Sequence, residues 1–584
     1  MDGYRKIGDS LYPLMRQKRW QAALSLLFVL AITAVAFYNV LGADFTNWDD
    51  NLFVTENQLI KDLSWENIKI IFTTFYKEDY LHPLVLISYS LEYKFFQLDP
   101  FFYHLDNLLL HLMNTVLVYW FVSILSRNAV IALVVTLLFG IHPLQVESVA
   151  WISERKGLLA TFFFLQASIY YLFSMKGKGR VYFGMSLIAF VLALLSKAVA
   201  VIFPLTLLLY DYYIHRKIDK RALLEKVPFF LISALYAADT LFMHEQTGQL
   251  DHAKLASPFK NFLIACRNIV LYIKHTVWPT ELSALYPAPK EVSLFLPDFF
   301  LPLVILCIMI ALLLWTRKYN RTIIFGFLFF LVAILPVVKL VPFASGGAIM
   351  SDRYMYHSSI GLFFIAGFFI DKLYSMEGAS RHYFKVASVV TVGIVVLLFS
   401  SMTYQRNKVW QNSKVLWSDV VKKYPSVSLA HYNLGLAYYD SGLLEEAIGE
   451  YEEAIKLRQH YLKARYNLGL AYAYSGHYDK ALAQFQQTIA LDPDHVGAHM
   501  SLGRVYQQLG LASKAVAEYR EVLRVAPDRA DMYNNIGELH FKEKSYDKAV
   551  DAFQEALRIM PDYQKARENL SRALLGGKKV TDNK

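Results

Sequence analysis

Apolar runs of about twenty residues, the length a helix needs to cross a bilayer, recur through the first two thirds of the chain. Runs at 20–42, 105–126, 128–142, 157–175, 181–196, 198–214, 227–243, 298–316, 322–343, 357–374 and 384–403 predict eleven membrane-spanning helices, those at 128–142 and 181–196 being short. Residues 260–279 break the pattern with Arg267, Lys274 and His275, and predict a re-entrant or interfacial segment. Two long polar stretches, 43–104 and 143–156, and a third around 340–356, connect the spans on one side.

Beyond residue 425 the pattern changes to a repeat of 34. Gly435, Gly469, Gly503 and Gly537 keep that spacing, as do Ala447, Ala481, Ala515 and Ala549, and the aromatics Tyr451, Phe485, Tyr519 and Phe553. Pro493, Pro527 and Pro561 follow suit. Small residues where paired helices touch, an aromatic between them and a helix-ending proline make the tetratricopeptide pattern. Four repeats over about 427–562 and a capping helix from Tyr563 to Leu575 are predicted. The fold class is therefore all-α: a polytopic membrane helix bundle, residues 1–404, a linking half repeat, 405–426, and a tetratricopeptide α-solenoid, 427–576. Such a solenoid presents a groove to an extended partner. Tyr432, Asn433, Tyr466, Asn467, Tyr533 and Asn534 either line that groove or pack between repeats.

Composition sharpens the division. The first 404 residues carry 61 charged side chains and the last 180 carry 47, and the mean hydropathy of +0.30 excludes a single soluble globular enzyme. The net charge of +10 does not call for nucleic acid, because loop Lys and Arg gather on the cytoplasmic face of membrane proteins. Arg16, Lys18 and Arg19 place the N-terminus there, ahead of an uncleaved first span. The basic turns Lys176–Arg180, Arg216–Lys226, Arg317–Arg321 and Lys372–Lys385 then fall on the same side. An odd span number puts the repeats outside. Cys266 and Cys307 lie in apolar segments and predict buried free thiols rather than a disulfide framework. No Walker loop, Rossmann glycine pattern, HExxH or Gly-x-Ser-x-Gly is present, which leaves nucleotide, zinc-protease and serine-hydrolase readings without support.

The polar chemistry collects in the outer loops. Asp49 and Asp50, adjacent in Trp48-Asp49-Asp50-Asn51, repel one another unless a cation, a proton or hydrogen-bond donors hold them. One ionised carboxylate of the pair can serve as a general base, and Asp-Asp-Asn can also ligate Mg²⁺ or Mn²⁺. Arg155, Lys156, Lys197 and Arg353 are cations on the same face, suited to an anionic lipid head group. Pairing with Glu147, Glu154 or Asp352 is the structural alternative.

These residues resemble the transmembrane and tetratricopeptide repeat O-mannosyltransferases. The resemblance is carried by Trp48-Asp49-Asp50 with Glu56-Asn57, Asp99-Pro100-Phe101 through His104, Asn107 and Leu109-Leu110-His111. His142-Pro143 with Glu147, Ser196-Lys197, Arg353-Tyr354-Met355-Tyr356 with Ser359-Ile360-Gly361, and Arg406-Asn407 with Trp410 complete it. It implies a GT-C membrane glycosyltransferase that uses a polyprenyl-phosphate-linked sugar, a mannose-like hexose, and hands it to Ser/Thr hydroxyls of extracytoplasmic proteins held by the repeats. It further implies that Asp49 or Asp50 is the catalytic carboxylate, that Arg353, Lys197, Arg155 and Tyr356 bind the donor phosphate, and that His142, Glu147 and Asp352 support them. Two positions depart from the family, Ala198 where eukaryotic members tend to have Glu and Asp352 where Glu is usual, and the short repeat array with only two cysteines points to a bacterial relative in an inner membrane. A lipid-linked oligosaccharide ligase or polymerase, and a non-catalytic membrane scaffold, are the rival readings.

Overall fold

The computed structural model describes residues 2–73, 82–175, 179–246, 257–316, 321–340, 348–378 and 380–581. It divides into two compact units, Met1–Val420 and Val421–Lys584.

Each of the eleven apolar runs contains helix in the first unit. Among the described residues, six helices are long and apolar enough to cross a membrane: Trp20–Gly42, Pro100–Ser126, Ile152–Phe173, Lys220–Met243, Pro297–Trp315 and Arg381–Trp410. Ala129–Ile141 and Pro143–Ala150 form a further apolar pair, bent by 53° at His142, where Pro143 cannot donate to continue the first helix. Arg180–Leu194, Ala198–Tyr213 and Arg321–Val337 are shorter apolar helices, and Met355–Tyr374 is a helix of 20 residues. Residues 176–178, 317–320 and 341–347 of the expected basic turns and third outer loop lie outside the described residues.

The segment expected to be re-entrant or interfacial is the helix Pro258–Val277, which is not among those apolar enough to cross. It buries Asn261, Asn268 and His275 while exposing Phe259 and Phe262. Asn268 donates to the carbonyl of Ile349 (2.9 Å), and the Tyr272 hydroxyl bridges the backbone of Ser351, so this helix braces the stretch ahead of Arg353. Ala348–Met350 there pairs with Tyr286–Pro287 as a two-stranded antiparallel ladder. The expectation of two buried thiols is corrected at one position. Cys266 is buried but Cys307 is exposed, because it faces out from Pro297–Thr316, a helix that exposes Leu301, Ile305, Ile308, Leu312 and Trp315 as well.

In the second unit four helix pairs follow one another, from Ser428–Asp440 with Leu444–Leu457 to Ala530–Lys542 with Tyr546–Ile559, and Gln564–Thr581 closes the array. A Cβ added at Gly435, Gly469, Gly503 or Gly537 would stand 2.5–2.8 Å from the ring at 451, 485, 519 or 553, which accounts for the small-residue and aromatic registers together. Ser413–Lys423, in the predicted half repeat, is a helix that begins in the first unit, whose last residue is Val420.

Of the candidate groove tyrosines, Tyr432 and Tyr466 pack between repeats. The Tyr432 ring lies 5.1 Å from Tyr461 and its hydroxyl accepts from Asn467. Tyr466 packs on His495, and the fully buried Asn534 donates to Glu538 and accepts from Asn569.

A second 34-residue register emerges from the hydrogen bonds. His431, Arg465, His499 and Arg567 each donate to the carbonyl six residues earlier, that of Pro425, Gln459, Pro493 or Pro561, at 2.7–3.0 Å. A basic side chain thereby closes each of these inter-repeat turns on an otherwise open carbonyl. His431 also faces Glu450 at 2.6 Å, and that hydrogen bond, the largest influence on it, raises its pKa against the opposing effect of burial. With both ring nitrogens on acceptors, the imidazolium is the form the fold favours.

Two outcomes are expected of the full-length protein. Stabilisation from His431 is complete below its ordinary pKa of about 6.5 and is lost as pH rises through the raised folded value. Hydrogen exchange, corrected for its intrinsic pH dependence, therefore shows weaker protection of Ser428–Leu457 at alkaline pH, and His431→Gln removes that pH dependence. The helix-to-helix turn of the first three repeats uses Gly442, Gly476 and Gly510 at φ 74–77°, whereas the fourth uses Lys544 at φ 60°. Since a side chain in the left-handed region costs about 1–2 kcal/mol, Lys544→Gly stabilises the last repeat by about 1 kcal/mol after the entropy of the freer glycine chain is deducted. Slower exchange in Tyr546–Ile559 is the readout.

Candidate functional site

Five consecutive residues, Trp151–Arg155, each reach a different part of the first unit. They lie where the bent helix pair ends and the helix Arg155–Phe173 begins, so the chain changes direction and successive side chains fan out. Trp151 is buried, its ring 6.2 Å from Trp48 and 6.0 Å from Trp410. The Ile152 carbonyl accepts from the Tyr89 hydroxyl (2.7 Å). Ser153 donates through its backbone N–H (2.9 Å) and hydroxyl (2.5 Å) to Oδ1 of Asp50. Glu154 accepts from Lys197, and Arg155 turns to the opposite side.

Asp50 is fully buried. Its other oxygen, Oδ2, accepts from the backbone N–H and hydroxyl of Thr46 at 2.8 and 2.9 Å. Burial raises its pKa while those four hydrogen bonds oppose the rise. Oδ1 joins the first outer loop to the second and Oδ2 closes the first loop on itself, so Asp50 fixes the position of its neighbour. Asp49 is half-buried, on the same turn; its backbone carbonyl accepts from Phe53 (3.0 Å). The asymmetry separates the pair: Asp50 anchors, and Asp49 is the less buried of the two carboxylates.

The cations come from two further hairpins. Lys197 sits at the break between Arg180–Leu194 and Ala198–Tyr213, with extended φ −160°, its backbone N–H on the Ala193 carbonyl (3.0 Å). Arg353 lies in the short turn before Met355–Tyr374. That helix meets Arg321–Ile334 where Gly326 and Gly361 approach so closely that a Cβ at either would overlap the other's carbonyl. Arg353 donates from its side chain to Oε1 of Glu147 (2.5 Å) and from its backbone to Oε2 (3.1 Å). Its guanidinium packs 5.1 Å from the rings of Trp151 and Tyr354, and its Nε is 3.9 Å from Oε2 of Glu154. Lys156 lies over Phe53 (4.9 Å) and Trp151 (5.9 Å). Burial pushes Glu147 up, against the pull of Arg353. Burial likewise lowers Lys197, against the pull of Glu154, with Lys156 and Arg353 adding to the lowering. Trp151 is thus the common wall between Trp48, which adjoins the acidic pair, and the Arg353 guanidinium.

Two expected phosphate ligands, Arg155 and Tyr356, face elsewhere, and two expected supporting residues, His142 and Asp352, hold backbone around the site. Arg155 is wholly buried, bonded to Asn107 (2.8 Å), Ser88, Glu92 and the Tyr103 carbonyl (2.8 Å); its guanidinium is spent inside the first outer loop and is not presented to a phosphate. The hydroxyl of Tyr356, also buried, lies between His111 (2.8 Å) and Asn114 (3.2 Å) within the helix bundle. His142 joins the Thr276 carbonyl (2.9 Å) to the backbone N–H of Leu144 (3.2 Å) and so holds the bend. Asp352 accepts from the Tyr286 hydroxyl (2.7 Å), securing the turn that carries Arg353. For the Mg²⁺ or Mn²⁺ reading of Asp49 and Asp50, Asp50 has both oxygens filled by Thr46 and Ser153 and offers none to a cation. Sequence reasoning gave Glu154 only the part of a charge partner and passed over Ser153 and Thr46. The Ser-Glu-Arg run between Trp151 and Lys156 was the available signal.

Tetratricopeptide repeat models match residues 426–494, 466–524 and 502–564. A protein O-mannosyl-transferase of Caenorhabditis elegans is 25% identical over 461 residues, 76% of this chain and 64% of that protein. One of Homo sapiens is 24% identical over 434 residues, 65% and 48% of the two chains. The chain resembles the protein O-mannosyl-transferases. It spans about half to two thirds of the length of these relatives. Among solved structures, the crystal structure of MamA matches with a TM-score of 0.25 at 27% identity, over 26% of this chain and 90% of that one.

Leaving a buried donor unmet costs about 1–3 kcal/mol, so Asp50→Ala, which strands the Thr46 and Ser153 donors, loosens residues 44–57 and 151–155 together. Hydrogen exchange reads this as lost protection in both loops, and Asp49→Asn leaves both as protected as in the parent protein.

Proposed function

We propose that the chain is a GT-C membrane glycosyltransferase that moves a mannose-like hexose from a polyprenyl-phosphate donor to Ser/Thr hydroxyls of extracytoplasmic proteins. The observation that carries this reading is the convergence of three separate chain segments on Trp151–Glu154: the acidic loop through Asp50 and Ser153, Lys197 through Glu154, and Arg353 through the Trp151 ring. Paired cations suit a glycosyl transfer with an anionic leaving group, because preorganised charge stabilises what develops in the transition state. The resemblance to protein O-mannosyl-transferases supports the same reaction class.

Asp49 takes the proton from the acceptor hydroxyl as its oxygen attacks the anomeric carbon from the face opposite the lipid phosphate. The bond from that carbon to the phosphate oxygen breaks, the configuration inverts, and the lipid monophosphate leaves with its new charge against Lys197 and Arg353. Glu147 and Asp352 hold Arg353 in place, while Arg155 and His142 fix the loops around it. In this reading the eleven apolar helices cross the membrane, the N-terminus is cytoplasmic and the repeats hold the acceptor outside, in the periplasm of a bacterial cell.

Mass spectrometry of outer-side proteins with and without the chain tests it: a hexose on Ser or Thr is present only with the chain. Asp49→Asn abolishes the modification while the protein stays folded and in the membrane. Undiminished transfer by Asp49→Asn rejects this base, and an unchanged set of modified proteins without the chain favours a scaffold over an enzyme.

A further inference from the structure

One buried polar atom beside the cations has no hydrogen-bond partner. Glu154 is completely buried, its Oε1 is taken by Lys197, and its Oε2 accepts no hydrogen bond, its contact with the Arg353 Nε being an ion pair at 3.9 Å. An ionised carboxylate oxygen held away from water without a donor is costly. Both cations beside it keep an open edge, the Lys197 and Arg353 side chains being 15% and 16% exposed. Four residues after Arg353, Nε2 of the buried His357 is likewise unpartnered. Space is reserved for this carboxylate: a Cβ at Gly157 would run into Oε1 of Glu154 and stand 3.4 Å from the Lys197 Nζ. An oxygen that can only accept, beside two cations open to an anion, is complementary to a ligand that carries hydroxyls next to a phosphate.

We infer that Oε2 of Glu154 accepts a hydrogen bond from one sugar hydroxyl of the donor while Lys197 and Arg353 hold its phosphate, which makes Glu154 a residue that selects the sugar. The inference rests on the transfer reading above and adds to it a residue that recognises the sugar. Glu154 acts twice: Oε1 sets the Lys197 ammonium, and Oε2 measures a hydroxyl at a fixed distance from that ammonium. A donor lacking that hydroxyl leaves the carboxylate oxygen unmet when the site closes over it, so discrimination comes from the unpaired group as much as from the lost bond.

The test uses the full-length chain in lipid nanodiscs and measures affinity for polyprenyl-phosphate mannose and its 2-, 3-, 4- and 6-deoxy analogues. One analogue is expected to bind roughly 10- to 100-fold more weakly than the parent sugar, the range for one hydrogen bond to a charged group. Glu154→Gln, whose amide can no longer offer the same acceptor, erases that difference, and so does Gly157→Ala, which displaces the carboxylate without altering it. A flat profile across the analogues in the parent protein overturns the inference, as does a hydroxyl preference that survives in both variants; either leaves the transfer reading intact. Failure of the parent protein to bind any of the five lipids overturns the transfer reading, and the inference with it. Should Glu154→Gln not fold, the parent profile and Gly157→Ala decide.

Discussion

Burying charge without stranding it is the constraint that organises the first unit. Glu154 and Arg155 are consecutive, both wholly buried, and oppositely employed: Glu154 turns to Lys197 and Arg155 to Glu92. Because the desolvation penalty of each ion is several kcal/mol, neither tolerates the loss of its partner. The loops that supply those partners are thereby held to the segment that joins the bent helix pair to Arg155–Phe173. The uncharged side of the same segment ties down the acidic loop through Ser153 and Asp50. Four stretches of chain that share no sequence proximity are registered against five residues, and the geometry of the site follows from that registration.

Helical geometry explains which parts of this were legible beforehand. Apolar length marks the spans, and a 34-residue period marks the solenoid, because both properties repeat along the chain. Asp49, Asp50, Lys197 and Arg353 stand out as charges where apolar sequence meets loop. Direction within a turn is what such a pattern lacks. Neighbours on a helix point about 100° apart, so Arg155 faces Asn107 and Tyr103 although Lys156 beside it lies over Trp151. Tyr356, three residues beyond Arg353, is carried into the bundle toward His111. Ser153 was illegible for another reason: a hydroxyl that serves one carboxylate 103 residues away has no local signature.

The solenoid follows a local logic instead. Each repeat contacts its neighbours, and stability accumulates from one interface to the next. The register at 431, 465, 499 and 567 shows how the sequence varies within that logic: His or Arg serves equally, because what the position must provide is an N–H donor to a turn carbonyl. The third basic position, His499, repeats the first in full, down to a glutamate 19 residues on, Glu518, at 2.7 Å. Tyr432 and Tyr466 yielded to the same economy of contacts, for a ring wedged between repeats removes more apolar surface from water than one facing a groove.

Depth of burial separates the candidate site from an ordinary salt-bridge network. Glu147 with Arg353 and Glu154 with Lys197 balance charge for charge, yet a well-packed apolar cluster of the same volume is generally at least as stable as buried ion pairs. What an apolar cluster lacks is an open edge. Here the carboxylates are the more deeply buried members of both pairs and the cations the more exposed, so positive charge is what the opening presents. The carboxylates behind it hold that charge in position before any ligand arrives. An anion entering there meets cations already fixed by their counterions, so little of its binding energy is spent on ordering them.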